Sequence, residues 1–123
     1  MRMWGINPKF LCKKHLLGEH GEIHKHRHNF VKHHRITKRI TPIVQIEPEN
    51  MEKRHNELAE EMLNRGYNHH SPYELPDLSY LQDFERYAKI DVQNSIKDLS
   101  ERCPECAERI KRGISTVGDV GAW

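Results

Sequence analysis

The sequence has no apolar run approaching the length of a membrane span, so no membrane partner is expected. No secretory signal is read at its start, and cysteine is scarce, with only Cys12, Cys103 and Cys106. An odd cysteine count without a signal argues against a disulfide framework and for a reducing, cytoplasmic setting. Internal repeats are absent, and no composition break marks a second domain in 123 residues. The expected organisation is one domain over 1–114 with a loosely ordered, glycine-bearing tail over 115–123. Acidic residues are nearly missing from the first third. Up to residue 39 only Glu19 and Glu22 face Arg2, Lys9, Lys13, Lys14, Lys25, Arg27, Lys32, Arg35, Lys38 and Arg39. The whole chain is close to balanced, 20 basic against 18 acidic residues, for a net charge of +2. With 36% hydrophobic and 31% charged residues the chain is too apolar, and too well patterned, to be disordered. A basic N-terminal third suits an anionic partner, most simply nucleic acid; the competing reading is a solvated basic surface.

Periodicity points to an all-α fold of about three main helices joined by long irregular connections. The first helix is expected from Asn7-Pro8, a cap followed by proline in the first turn, to about Lys32. Its apolar stripe is Cys12, Leu16, Ile23 and Phe30, helped by Leu17. Gly18 and Gly21 weaken it in isolation, and a glycine there permits close backbone approach. His33 to Glu47 is basic at first, and Ile40 to Ile46 then reads as extended or turn-like, broken at Pro42. A second helix follows Pro48-Glu49-Asn50, turns Met51, His55, Leu58, Met62 and Leu63 inward, and stops at Arg65-Gly66. Tyr67 to Asp77 reads as a proline-punctuated loop. The third helix covers roughly Asp91 to Arg102 with Val92, Ile96 and Leu99 on one face, and a short turn or helix follows Cys103-Pro104.

On the side of the first helix opposite its apolar stripe, His15, Glu19, Glu22 and His26 fall at intervals of four, three and four. Such spacing stacks side chains on one face. Two carboxylates on a helix dense in lysine and histidine would supply a general base or an electrostatic stabiliser in a phosphate-attracting cleft. Carboxylates at this spacing also occur on exposed helices that do nothing further.

Around Arg2 and His15-Leu16-Leu17-Gly18-Glu19-His20-Gly21-Glu22 the chain resembles the phage-type endonuclease V, or pyrimidine-dimer DNA glycosylase, family. The second helix, Arg54-His55-Asn56-Glu57-Leu58-Ala59-Glu60-Glu61-Met62-Leu63-Asn64-Arg65-Gly66-Tyr67, resembles that family's second helix nearly position by position. The likeness is good over about half the chain, weak from Ile36 to Ile46, and fades after Leu99. It implies a compact all-α fold whose extreme N-terminus crosses the protein to lie beside a catalytic glutamate. It also implies a DNA-repair enzyme, a bifunctional glycosylase and apurinic-site lyase that attacks the damaged sugar with its N-terminal amine. Carried onto this sequence, the nucleophile is Met1, retained because Arg2 is too large to permit its removal, and the catalytic glutamate is Glu22. Arg2, His15, Glu19, Lys25, Lys13, Lys14 and Arg27 become the expected DNA contacts. The implied partner is double-stranded DNA, bound by a monomer without cofactor in a bacterial or virus-infected cell. Alternatives are a non-catalytic nucleic-acid-binding protein on the same scaffold and a related lyase for another modified base.

Two departures stand out. Gly21 replaces the arginine that the family places before its catalytic glutamate, and the family's aromatic-rich C-terminal segment is missing. Cys103-Pro104-Glu105-Cys106 stands there instead, with the spacing of half a zinc site. Cys12, His69 or His70 would have to complete it, and the reading from sequence assigns no metal. His20, His24 and His28, at four-residue steps, form a row that reads as a solvated or phosphate-facing surface.

Overall fold

Residues 7–12 do not form the helix start that Asn7-Pro8 promises. In the computed structural model, which describes residues 2–69 and 71–115 (backbone alone for the last two), Pro8–Phe10 is a single 3₁₀ turn. Asn7 caps it by accepting from the Lys9 N–H at 3.1 Å. Leu11 and Cys12 are then extended, and helix α1 begins only at Lys13, running to Val31. Groups distant in sequence break the helix here. Arg65 donates to the carbonyls of Pro8 at 3.1 Å and Leu11 at 2.7 Å, and Arg109 donates to that of Lys9 at 2.9 Å. Carbonyls that would have accepted helical bonds are thereby satisfied by guanidinium groups.

Five further helices follow among the described residues, with no strand. They are α2 (Thr37–Ile40), α3 (Met51–Asn64), α4 (Asp83–Arg86), α5 (Val92–Arg102) and α6 (Pro104–Ser115). The all-α expectation holds. The three main segments appear as α1, α3 and α5, while α2 is one helical turn that ends where the stretch read as extended begins, and α4 is an addition. The short element after Pro104 is a twelve-residue helix. Residues 116–123, read as a loose tail, lie outside the described residues.

Local chemistry explains the ends. His33 closes α1 with a positive φ of 56°, its N–H bonding Phe30 O and the next N–H bonding Asn29 O. Gly66 closes α3 with φ 85°, a conformation that costs a side chain strain, while its N–H bonds Leu63 O and Tyr67 N–H bonds Met62 O. Asp91 caps α5 by accepting from Asn94 N–H at 3.1 Å.

Helix α1 lies against α3, and α5 and α6 form a hairpin whose second arm covers the Pro8–Phe10 turn. That approach is close: a Cβ on Gly113 would stand 2.1 Å from the Phe10 ring. Gly21, by contrast, has open space around it. The core runs from Met3 to Ile110 and includes Leu16, Ile23, Phe30, Met51, Leu58 and Leu99. Three residues expected inside are exposed: Leu17 at 37%, Leu63 at 56% and Val92 at 38%. The polar row on α1 is also not opposite its apolar stripe. Leu16, Glu19, Ile23, His26 and Phe30 alternate by three and four residues, so Glu19 and His26 share the buried strip, with 0% and 3% exposure.

Candidate active site

The start of the chain is threaded through the core. Met3, Trp4 and Ile6 are 2%, 3% and 1% exposed, and Met3 N–H donates to Gln45 O at 2.9 Å. Gln45 N–H in turn donates to Arg39 O at 2.7 Å, so the N-terminal segment is docked on the 36–46 connection. Arg54 holds it from the other side. Its Nη1 donates to Ile6 O at 2.6 Å, while Nε and Nη2 reach the two oxygens of Glu19 at 2.6 and 3.0 Å.

Glu19, expected among the DNA contacts, is therefore a buried anion whose two oxygens are taken by a bidentate guanidinium. The sequence alone missed Arg54 because its partner lies 35 positions away. Breaking such a pair leaves an uncompensated buried charge. Arg54→Met should lower unfolding stability by about 3–5 kcal/mol, and the double variant Arg54→Met/Glu19→Leu should regain most of it. Urea denaturation measures both; equal stability of Arg54→Met and the parent would contradict a buried pair.

Glu22 sits one turn beyond Glu19 and is half-buried. One of its oxygens lies 3.7 Å from Nε2 of His26. His26 is buried, and neither ring nitrogen has a hydrogen-bond partner among the described residues. Burial is the main force holding its pKa below the usual imidazole value; Glu22 pulls it back up, and Arg39 and Lys25 push it down again. At neutral pH His26 is an uncharged ring beside a carboxylate. Met1, the expected nucleophile, lies outside the described residues.

Arg2 turns toward α5. It donates to Ser95 Oγ at 3.0 Å, stands 3.8 Å from Asp98, and covers the Trp4 ring at 5.1 Å. With Arg39, Lys97, Asp98, Glu101 and Arg102 it lines a cavity of about 510 Å³, in which four cations outnumber two carboxylates and which is open to solvent. The sequence reading overlooked Arg39, Lys97 and Arg102 here, since they come from two segments with no motif. A comparable groove of about 490 Å³ beside Pro8 is lined by Glu57, Glu60 and Glu61 against Lys9 and Arg54, a balance less favourable to phosphate.

The remaining cations divide between the flanks of α1. Lys25, exposed, lies three residues past Glu22 and shares its side. Lys14 is exposed on the outer face. Lys13 and Arg27 occupy the far flank, Lys13 over the Tyr67 ring at 5.4 Å and Arg27 donating to Glu74 O at 2.7 Å. His15, expected at DNA, instead points its Nδ1 toward Cys12 Sγ at 3.1 Å and Cys106 Sγ at 3.6 Å.

On that far flank His20, His24, His55 and His69 converge. His69 Nε2 is 2.9 Å from His20 Nε2 and 3.3 Å from His55 Nε2. The shorter separation is that of a hydrogen bond. Hydrogen-bonded imidazoles fit this cluster. Two of the row expected to face phosphate, His20 and His24, have thus turned into it. His70, also considered as a ligand, lies outside the described residues.

Burial first, then the neighbouring His55, His24 and His69, push His20 down to about 4, and burial also lowers His24. Both stay neutral in the folded chain where an unfolded histidine, with a pKa near 6.5, takes up a proton. Between those values the unfolded state binds more protons, so stability is full above about pH 6.5 and falls as pH drops toward about 4. Urea midpoints across this range should decline with acid, and His20→Gln should flatten the decline. Parallel pH profiles for variant and parent would rule the cluster out as the cause.

The profile of the pyrimidine dimer DNA glycosylase family matches residues 1–75, which hold the threaded start, α1 and α3. No curated protein and no solved structure matches the chain.

Proposed function

Because the chain belongs to the pyrimidine dimer DNA glycosylase family, we infer that it is a bifunctional DNA glycosylase and apurinic-site lyase using the N-terminal amine of Met1. The observation that carries this reading is the threaded N-terminal segment. An α-amine attacks usefully only when the start of the chain is held in place. Buried Met3, Trp4 and Ile6, the Met3–Gln45 hydrogen bond and the Arg54–Ile6 hydrogen bond supply that hold.

In the proposed reaction the lesion's nucleotide is turned toward the protein by local kinking or flipping. The neutral amine of Met1 bonds to C1′, and the glycosidic bond breaks, the base leaving with its electron pair. Opening of the sugar ring gives an imine between Met1 nitrogen and C1′. Loss of a proton from C2′ then expels the 3′ phosphate by β-elimination. An α-amine with a pKa near 8 is neutral in a useful fraction at pH 7. Glu22 stabilises the cationic sugar and accepts protons, with neutral His26 behind it limiting water access. Arg2 and Lys25 hold phosphates, and Arg39, Lys97 and Arg102 extend the cationic lining away from the reacting sugar. Lys14 lies on the outer face between the two flanks, while Lys13 and Arg27 contribute to attraction at longer range.

The reaction is tested on supercoiled plasmid with the protein bearing its native start. Nicking of ultraviolet-irradiated and abasic DNA, with untreated plasmid intact, is the expected outcome. Tight binding without nicking would identify a non-catalytic DNA-binding protein, and nicking of abasic DNA alone would point to another lesion. Binding to undamaged duplex should weaken steeply with salt, and Lys25→Ala should reduce the log–log slope by about 0.9. An unchanged slope would remove Lys25 from the phosphate contacts.

A further inference from the structure

Three cysteines and one histidine meet where no part of the proposed reaction needs them. Cys12 is the extended residue before α1 and His15 lies in the first turn of that helix. Cys103 is the extended residue between α5 and α6, and Cys106 lies in the first turn of α6. Each pair repeats one local plan, an extended cysteine followed three positions later by a second donor on a helix. The two plans face each other, and all four donor atoms lie within 4.8 Å of one another.

We propose that Cys12, His15, Cys103 and Cys106 form a structural zinc site that fastens the α5–α6 hairpin to the start of α1. Tetrahedral zinc, with sulfur at about 2.3 Å and nitrogen at about 2.0 Å, sets sulfurs about 3.8 Å apart and sulfur from nitrogen about 3.5 Å. The structure has Cys12 Sγ 3.9 Å from Cys103 Sγ and Cys106 Sγ 3.6 Å from His15 Nδ1. Cys12 Sγ and His15 Nδ1, at 3.1 Å, are slightly closer than that. Backbone amides also aim at the sulfurs. Cys12 N–H donates to Cys106 Sγ at 3.2 Å and Cys106 N–H to Cys103 Sγ at 3.4 Å, the kind of support that metal-bound thiolates receive.

Buried cysteines are often no more than small apolar side chains, and a thiol beside an imidazole is often only a hydrogen bond. Neither explains one ring nitrogen converging on two sulfurs while a third sulfur closes the group. All three thiols are free, and two of them are buried. A sulfur-rich, four-donor, tetrahedral set selects zinc over the harder divalent cations.

The position explains what the metal would do. The family match ends at residue 75, and the site joins Cys12 and His15 within it to Cys103 and Cys106 beyond it. Arg2 is held by Ser95 and Asp98 on α5, so the same clamp steadies that guanidinium. The zinc site stands on its own geometry and does not depend on the glycosylase reading.

The full chain, purified under reducing conditions, should contain about one zinc per molecule. Exchange for cobalt should produce an intense thiolate-to-cobalt charge-transfer band, which the four-imidazole cluster cannot give. Chelation should lower the melting temperature, and zinc but not magnesium should restore it. Cys106→Ser should weaken cobalt binding by more than about 100-fold. Should that variant fail to fold, the cobalt titration of the unsubstituted chain decides alone. Absence of the thiolate band would overturn the proposal. So would a band, or a zinc content, that Cys106→Ser leaves unchanged, or a Cys12–Cys103 disulfide in the reduced preparation.

Discussion

Glu22→Gln should abolish cleavage at abasic sites, slowing elimination by about 10²–10⁴-fold, while DNA affinity stays within a few-fold. The amide keeps the size of the side chain and its contact with the α1 surface but cannot accept the C2′ proton or stabilise positive charge on the sugar. His26 cannot substitute. It is buried, so it cannot reach the sugar, and as an uncharged ring it cannot stabilise positive charge there. Single-turnover elimination on an abasic duplex, with affinity from a binding titration, separates the two effects. Glu19→Gln is the informative companion. Glu19 is wholly buried against Arg54, so its substitution should cost stability first. If Glu22→Gln cleaved at the parental rate, Glu22 would be a surface residue with no part in the chemistry.

Adding one residue before Met1 should have an effect just as large on trapping and incision. An added residue moves the amine by up to about 3.5 Å, whereas attack on C1′ needs reacting atoms held within about that distance and aligned. The docked segment cannot slide to compensate. Met3, Trp4 and Ile6 fill the core, Met3 N–H is bonded to Gln45 O, and Ile6 O is bonded to Arg54. A shift of register would expose apolar side chains and orphan both bonds. The extended variant should therefore melt and bind undamaged duplex like the parent yet lose incision, measured on the same plasmid. Full activity with an extended start would exclude the α-amine.

Much of the scaffold could be read from the residues because its signals are local. Pro48, Gly66 and Asp91 punctuate α3 and α5, and the three-and-four spacing of Leu16, Ile23 and Phe30 marks α1. The break at Leu11-Cys12 could not be read, since Arg65, Arg109 and Cys106 cause it from far along the chain. The burial of Glu19 is hidden in the sequence for a related reason. A carboxylate at helical spacing looks alike whether it meets solvent or a guanidinium on another helix, and only packing distinguishes the two. For α6, Cys106 and Ile110 are the only buried apolar residues among the described positions, too few to announce a long helix. Val92 and Leu63 carry the right period but lie on partly exposed faces. The likeness to the glycosylase family came from contiguous motifs, which survive without structure, whereas the cationic cavity of Arg2, Arg39, Lys97 and Arg102 is assembled from three segments. His15 is the instructive case. Its spacing from Cys12 mirrors that of Cys106 from Cys103, a pattern present in the sequence but hidden by the carboxylate row that shares its helix.

The most direct measurement is the position of the covalent adduct. Borohydride added during reaction with abasic-site DNA reduces the imine to a stable amine, and peptide mapping then locates the cross-linked residue. The expected result is one adduct per chain on the α-amine of Met1, lost on N-terminal extension, and strongly diminished in Glu22→Gln. An adduct on Lys13 or Lys25, with the extended chain fully active, would contradict the N-terminal nucleophile, since a lysine with lowered pKa can form the same imine.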